Sequence, residues 1–146
     1  MKYTFRDIHD EPVTISGDDD LEFNAPCCMF SRPVIISNCI IKILNIYATY
    51  FFSGLKIQNC HVESEVIFQS GGHNKQPILI IDTTFDKFCD FEDCLFIADV
   101  VIKNVKFSAD TNLAGNKGTP VEVVFDGDLV IENVVGIIDM NTFRST

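Results

Sequence analysis

The chain has 146 residues, 11 Lys+Arg against 21 Asp+Glu for a net charge of −10, 47% hydrophobic residues, 13 Phe and no Trp. That length suits one domain with a real core; the composition is too apolar for a disordered acidic tail, and the charge has the wrong sign for binding phosphates, so nucleic acid is not expected as a direct ligand. No apolar run reaches the roughly 18–20 residues of a membrane span and Met1-Lys2-Tyr3-Thr4-Phe5-Arg6-Asp7 has no signal-peptide core, so no membrane contact and a cytoplasmic location are expected.

In chain order, short apolar segments of three kinds recur. Tyr3-Thr4-Phe5 is followed by a polar turn (Arg6, Asp7, His9, Asp10, Glu11), then Pro12 and Val13-Thr14-Ile15-Ser16-Gly17, then Asp18-Asp19-Asp20 and Leu21-Glu22-Phe23. Cys28-Met29-Phe30 leads through Pro33 to Val34-Ile35-Ile36-Ser37-Asn38 and Cys39-Ile40-Ile41. Tyr50-Phe51-Phe52 leads through Gly54 to Leu55-Lys56-Ile57-Gln58-Asn59 and Cys60-His61-Val62. Val66-Ile67-Phe68 is separated by Ser70–Gln76 from Pro77, Ile78-Leu79-Ile80-Ile81-Asp82 and Thr83-Thr84-Phe85, after which Asp86, Asp90, Glu92 and Asp93 cluster. Cys94-Leu95-Phe96 leads through Asp99 to Val100-Val101-Ile102-Lys103-Asn104 and Val105-Lys106-Phe107, and the longest insertion, Ser108–Thr119, follows. Val123-Val124-Phe125 leads through Asp128 to Leu129-Val130-Ile131-Glu132-Asn133 and Val134-Val135-Gly136, and residues 137–146 form a C-terminal tail or cap.

The middle segments begin 21, 21, 23, 22 and 29 residues apart and carry Ile at the third position in all six. A fixed period of about 22 residues with alternating apolar positions, β-branched and aromatic throughout, predicts an all-β fold: one parallel β-helix domain of about six coils, three short strands per coil. A helical fold lacks its 3.6-residue period, and a β-sandwich does not require such matched columns. Alternation points the first and third residue of each triplet inward and the middle one outward. Stacking then predicts a Phe ladder (Phe5, Phe30, Phe52, Phe68, Phe96, Phe125), an Ile ladder (Ile15, Ile36, Ile57, Ile80, Ile102, Ile131) and a corner column (Asn38, Asn59, Asp82, Asn104, Asn133) at a left-handed backbone position, with side chains bonded from coil to coil.

Ile57-Gln58-Asn59-Cys60-His61-Val62 and Ile102-Lys103-Asn104-Val105-Lys106-Phe107 resemble the repeat of the right-handed parallel β-helix proteins of the pectate-lyase-like superfamily. The resemblance spans residues 3–136 and implies a right-handed solenoid with an internal Asn ladder; it implies little about activity. The chain is shorter than the enzymes of that superfamily and has no evident N-terminal helical cap. Their catalytic face would correspond to the outward positions of the Phe segments, Thr4, Met29, Phe51, Ile67, Leu95 and Val124, none ionisable. No catalytic residue, metal or cofactor is therefore expected.

Those outward positions, together with Ile35, Leu79, Val101 and Val130 on the neighbouring strands, instead form apolar stripes with side chains about 5 Å apart, and such patches mark interfaces. The expected partner is a second copy of the chain or another protein, in a structural, scaffolding or partner-neutralising role. A carbohydrate-binding or carbohydrate-active protein is one alternative, with Asp86 and Asp93 as candidate acids; an acidic mimic of nucleic acid is another. The stretch Gly71, Gly72, His73 and Asn74 is a candidate loop site, because paired glycines can bring amides near an anion and His73 can titrate near neutrality. The Asp18–Asp20 run lacks calcium-loop spacing and reads as a solvated corner. The six cysteines form no metal or redox motif and read as small buried free thiols.

Overall fold

The structure, a computed structural model, describes residues 1–142. The chain winds as a parallel β-solenoid of about five turns of ~22 residues, with no helix among the described residues. Its strands are β1 (Lys2–Thr4), β2 (Ile8–His9), β3 (Val13–Ser16), β4 (Leu21–Asn24), β5 (Met29–Phe30), β6 (Val34–Ser37), β7 (Ile40–Asn45), β8 (Tyr50–Phe51), β9 (Leu55–Gln58), β10 (His61–Val62), β11 (Val66–Ile67), β12 (Ile78–Phe85), β13 (Cys89–Asp90), β14 (Leu95–Phe96), β15 (Val100–Phe107), β16 (Val124–Phe125) and β17 (Leu129–Val135).

The Ile wall follows the expectation. β3, β6, β9, β12, β15 and β17 stack in parallel, with Ile15, Ile36, Ile57, Ile80, Ile102 and Ile131 in one register column. The first five are buried; Ile131, on the last strand of the described residues, is 38% exposed, with no further strand among them to cover the column. After this wall the chain turns at Gly17, Asn38, Asn59, Asp82, Asn104 and Asn133, all at positive φ between 50° and 74°. The corner amides bond along the stack: Asn59 Nδ2 donates to Asn38 Oδ1 (2.8 Å), Asn104 Nδ2 to Asp82 Oδ1 (3.0 Å) and Asn133 Nδ2 to Asn104 Oδ1 (2.8 Å).

The third wall holds two pairing segments per turn joined by a bend. Ile40-Ile41 of β7 pairs with β10, whereas Leu44-Asn45 of the same strand pairs with β11. A second left-handed column closes this wall at Asp7, Cys27, Ala48, Ser70 and Asp93, with φ from 50° to 61°.

The Phe wall departs from the expected column in three coils. β1 pairs with β4, which puts Tyr3-Thr4-Phe5 on the third wall; the Phe-wall position in that coil falls to His9, in register with Phe30. In the next departure Phe51, not Phe52, is inside. β8 pairs Phe51 with Phe30, their rings stack 5.4 Å apart, and Phe52 is left half-buried. Three adjacent aromatic residues show no alternation, so packing against Phe30 chooses among them. Finally, β11 pairs Val66-Ile67 with Leu44-Asn45 and Cys89-Asp90, which moves Phe68 off the Phe wall. The wall position there is Gly72, bridging Tyr50 and Leu95, and the Phe68 ring fills the space behind it, 5.6 Å from Phe51 and 5.9 Å from Phe96. Phe30, Phe96 and Phe125 stand as expected, with Phe96 and Phe125 stacked at 5.4 Å. One continuous apolar core runs through the stack from Val13 to Val123.

Candidate interaction surface

The outward side of the Phe wall is a single register column of Ile8, Met29, Tyr50, Gly72, Leu95 and Val124. Ile8 is 69% exposed, Met29 38% and Val124 44%; Tyr50 and Leu95 are half-buried. Of the residues expected here, Met29, Leu95 and Val124 take their places. Phe51 is wholly buried, so it is not a surface residue, and Ile67 is exposed but lies on the third wall, beside Asp90 and Asn45. Ile8 stands where Thr4 was expected, Tyr50 where Phe51 was and Gly72 where Ile67 was, for the same shifts of register that displaced Phe5, Phe52 and Phe68. Ile8 sits within the polar N-terminal turn, where its neighbours conceal it; only its pairing with Met29 identifies it.

The outward column of the Ile wall is Thr14, Ile35, Lys56, Leu79, Val101 and Val130. A shallow groove lies along it, lined by Pro33, Ile35, Gly54, Lys56, Pro77 and Leu79. The third wall is wetter. His61, Thr84 and Lys106 share a register there, and His61 Nε2 lies 2.8 Å from Asp86 Oδ1.

The Gly71–Asn74 stretch is built into the wall. The Gly72 amide donates to the Thr49 carbonyl and the His73 amide to the Leu95 carbonyl, so neither amide is left to receive an anion. Gly71 is required for packing: a Cβ there would lie 2.5 Å from the Phe68 ring. Asn74 is buried, donating to the Gln76 and Ala98 carbonyls (3.0 and 3.3 Å) and accepting from the Ile97 amide (3.2 Å). The His73 ring stacks on Tyr50 at 3.9 Å.

The acidic cluster is also largely engaged. Asp90 accepts from Gln69 Nε2 (2.6 Å), Asn112 Nδ2 (2.8 Å) and the Glu92 amide (3.0 Å), Asp93 accepts from Ser70 Oγ (3.0 Å), and Asp86 meets His61. Desolvation, with Asp90 and Asp93 nearby, raises the Glu92 carboxyl above its ordinary value. Asp18 accepts the Asp20 amide (2.9 Å) and lies 3.1 Å from the N-terminal ammonium, and the bond from Asp20 holds its carboxyl below the usual range. No group of three or more His, Cys, Asp or Glu able to hold a metal occurs among the described residues.

Five of the six cysteines are buried and all are free. Four of them, Cys28, Cys39, Cys60 and Cys94, directly follow a left-handed corner residue. Cys39 and Cys60 direct their thiols to carbonyls two residues back, Ser37 (3.1 Å) and Gln58 (3.3 Å), and Thr83 Oγ1 does the same to Ile81 (2.8 Å). Thiol and hydroxyl are interchangeable here because each is a short donor that fits inside the corner. Burial pushes the Cys60 thiol up to about 11 and raises Cys28, Cys89 and Cys94 as well, which makes these groups weak nucleophiles. No family model, curated protein or solved structure matches the chain.

Proposed function

We propose that this is a non-enzymatic β-helix protein that acts by binding another protein through the outer side of its Phe wall. The observation that carries the reading is the register column of Ile8, Met29, Tyr50, Leu95 and Val124, apolar along a rigid sheet and interrupted at Gly72. The sheet backbone is already ordered, so the side chains exposed on it, Ile8, Met29 and Val124, can associate with no ordering cost to the chain itself. Acidic residues at corners and loops, within a net charge of −10, would rim this column and suit a partner with a basic rim.

The Asn corner ladder supports a relationship to the right-handed parallel β-helix proteins of the pectate-lyase-like superfamily. A carbohydrate role is less well supported. A sugar platform needs an open aromatic face, and the Tyr50 face is occupied by His73. Six free thiols fit a reducing compartment such as the cytoplasm.

Charge introduced into the column tests the reading. The Met29→Glu/Leu95→Glu double variant should lose binding of an apolar dye and cross-linking to partner proteins in its native cells, with its melting temperature kept. The Lys106→Glu variant on the third wall should retain both. Equal binding by all three proteins, or turnover of a glycan by the wild type, would refute it.

A further inference from the structure

The two ends of the solenoid differ. At the N-terminal end Tyr3 and Phe5 pack against the core, the Phe5 ring lies 5.1 Å from both Phe23 and Phe30, and Ile15 of the terminal strand is only 4% exposed. At the C-terminal end the same column opens to solvent at Ile131, and Val130, Val135 and Ile137 are exposed beside it. Residues 137–142 do not cover this end. They run against the long loop: the Thr111 amide donates to the Ile137 carbonyl, the Ala114 amide to Ile138, and the Met140 amide to Thr111, with Thr142 held by Asn112 and Asn116. β17 therefore pairs with β15 along one edge, and its seven-residue outer edge has no strand partner among the described residues.

We propose that this edge joins a second copy of the chain, tail to tail, by antiparallel pairing of β17 with its symmetry mate. An unpaired edge without Pro or a blocking Lys is a template for strand addition, and a two-fold axis makes the contact closed and self-complementary. The side-chain pattern selects the register. Leu129, Ile131 and Val134 continue inward columns, whereas Val130, Glu132, Asn133 and Val135 point outward. Opposed residues of an antiparallel pair share one side of the sheet. Among registers that engage both halves of β17, that condition is met when Ile131 faces Val134 of the second copy, Val130 faces its Val135, and Glu132 faces its Asn133. The pairing would extend the core across the axis and supply the edge with hydrogen bonds. A head-to-tail filament is disfavoured because, although β3 also has an unpaired outer edge, the inward side chains of that end, Val13 and Ile15, are already covered and offer no apolar column to match Ile131.

The dimer surface is separate from the Phe-wall column and would place two such columns in one particle. Sedimentation and light scattering over a concentration series test it on the full chain. The wild type should pass from monomer to dimer. Val135→Lys, a surface change, should weaken dimerisation at least ~10-fold with the melting temperature kept, and Met29→Glu should leave it intact. In a Cys27→Ser background, copper–phenanthroline oxidation of the Val130→Cys/Val135→Cys double variant should link position 130 of one copy to position 135 of the other, because the Cβ atoms of opposed residues lie roughly 5 Å apart. A monomer at every concentration, a dimer lost in Met29→Glu but kept in Val135→Lys, or links only between equivalent positions would overturn the proposal.

Discussion

At the scale of single residues, the winding of the chain depends on two left-handed positions per turn. A non-glycine residue pays roughly 1–2 kcal/mol for that conformation, least where a short polar side chain can bond locally. Asn104 is held by Asp82 and Asn133, at 3.0 and 2.8 Å, and its φ is 54°. Asn104→Ala should therefore lose about 1–3 kcal/mol in urea unfolding, from strain and from lost bonds, and Asn104→Gly should recover the strain share alone. The ladder has one gap: Asp82 accepts from Asn104 but has no donor to offer Asn59, which donates the other way, to Asn38. Asp82→Asn should close the gap and gain about 1 kcal/mol by the same measurement. Glu92 titrates against the fold. Its carboxyl is raised by desolvation, so its charged form is disfavoured when folded, and this penalty is present at neutral pH and relieved as pH falls into the carboxylate range. Glu92→Gln should raise the melting temperature at neutral pH, and the gain should vanish in acid. The Asn corner was legible because Asn, Asp and Gly announce the left-handed region. The other corner was hidden because Cys27, Ala48 and Ser70 occupy it, and only the Cys or Thr after such corners hints at it.

At the scale of elements, the period predicted the Ile wall completely and the Phe wall in part, for a physical reason. Each Ile strand places four residues before its corner residue, buried at the first and third from β3 to β15, so a one-residue slip would expose the whole inner set. The Phe strands are two residues long, and at Tyr50-Phe51-Phe52 every choice is aromatic. Register there is decided by neighbours in space, as Phe51 against Phe30 shows. In the following coil Phe68 and the two glycines act together: the wall is thinned to backbone at Gly71-Gly72 and a ring from the adjoining corner fills the space. Gly71→Ala should cost about 1–3 kcal/mol, and a Phe68→Leu change should restore much of it, which a double-mutant cycle by thermal denaturation would measure. The long loop is similarly matched to the C-terminal segment, since a Cβ on Gly115 would run into the Met140 carbonyl. Gly115→Ala should release residues 137–142 to limited proteolysis while leaving the Ile wall protected from hydrogen exchange.

At the scale of the whole molecule, the high apolar fraction divides between inner ladders and outer columns. The inner set explains why so short a chain holds a continuous core; the outer set is more than folding requires. The division itself was legible from alternation, but which residues stand outside depended on register, so Ile8 and Tyr50 emerged only from the stacked strands. The charge of −10 was legible as a total; most of its carboxylates stand at corners and in loops, with Glu22, Asp90 and Glu132 on strands. Association through the Phe wall is the central claim, and photo-cross-linking in the native cell tests it most directly. A photoreactive residue placed at Met29 or Leu95 should capture one defined protein, while the same residue at Lys106 on the third wall should not. Capture at Lys106 with none at Met29 or Leu95 would contradict it.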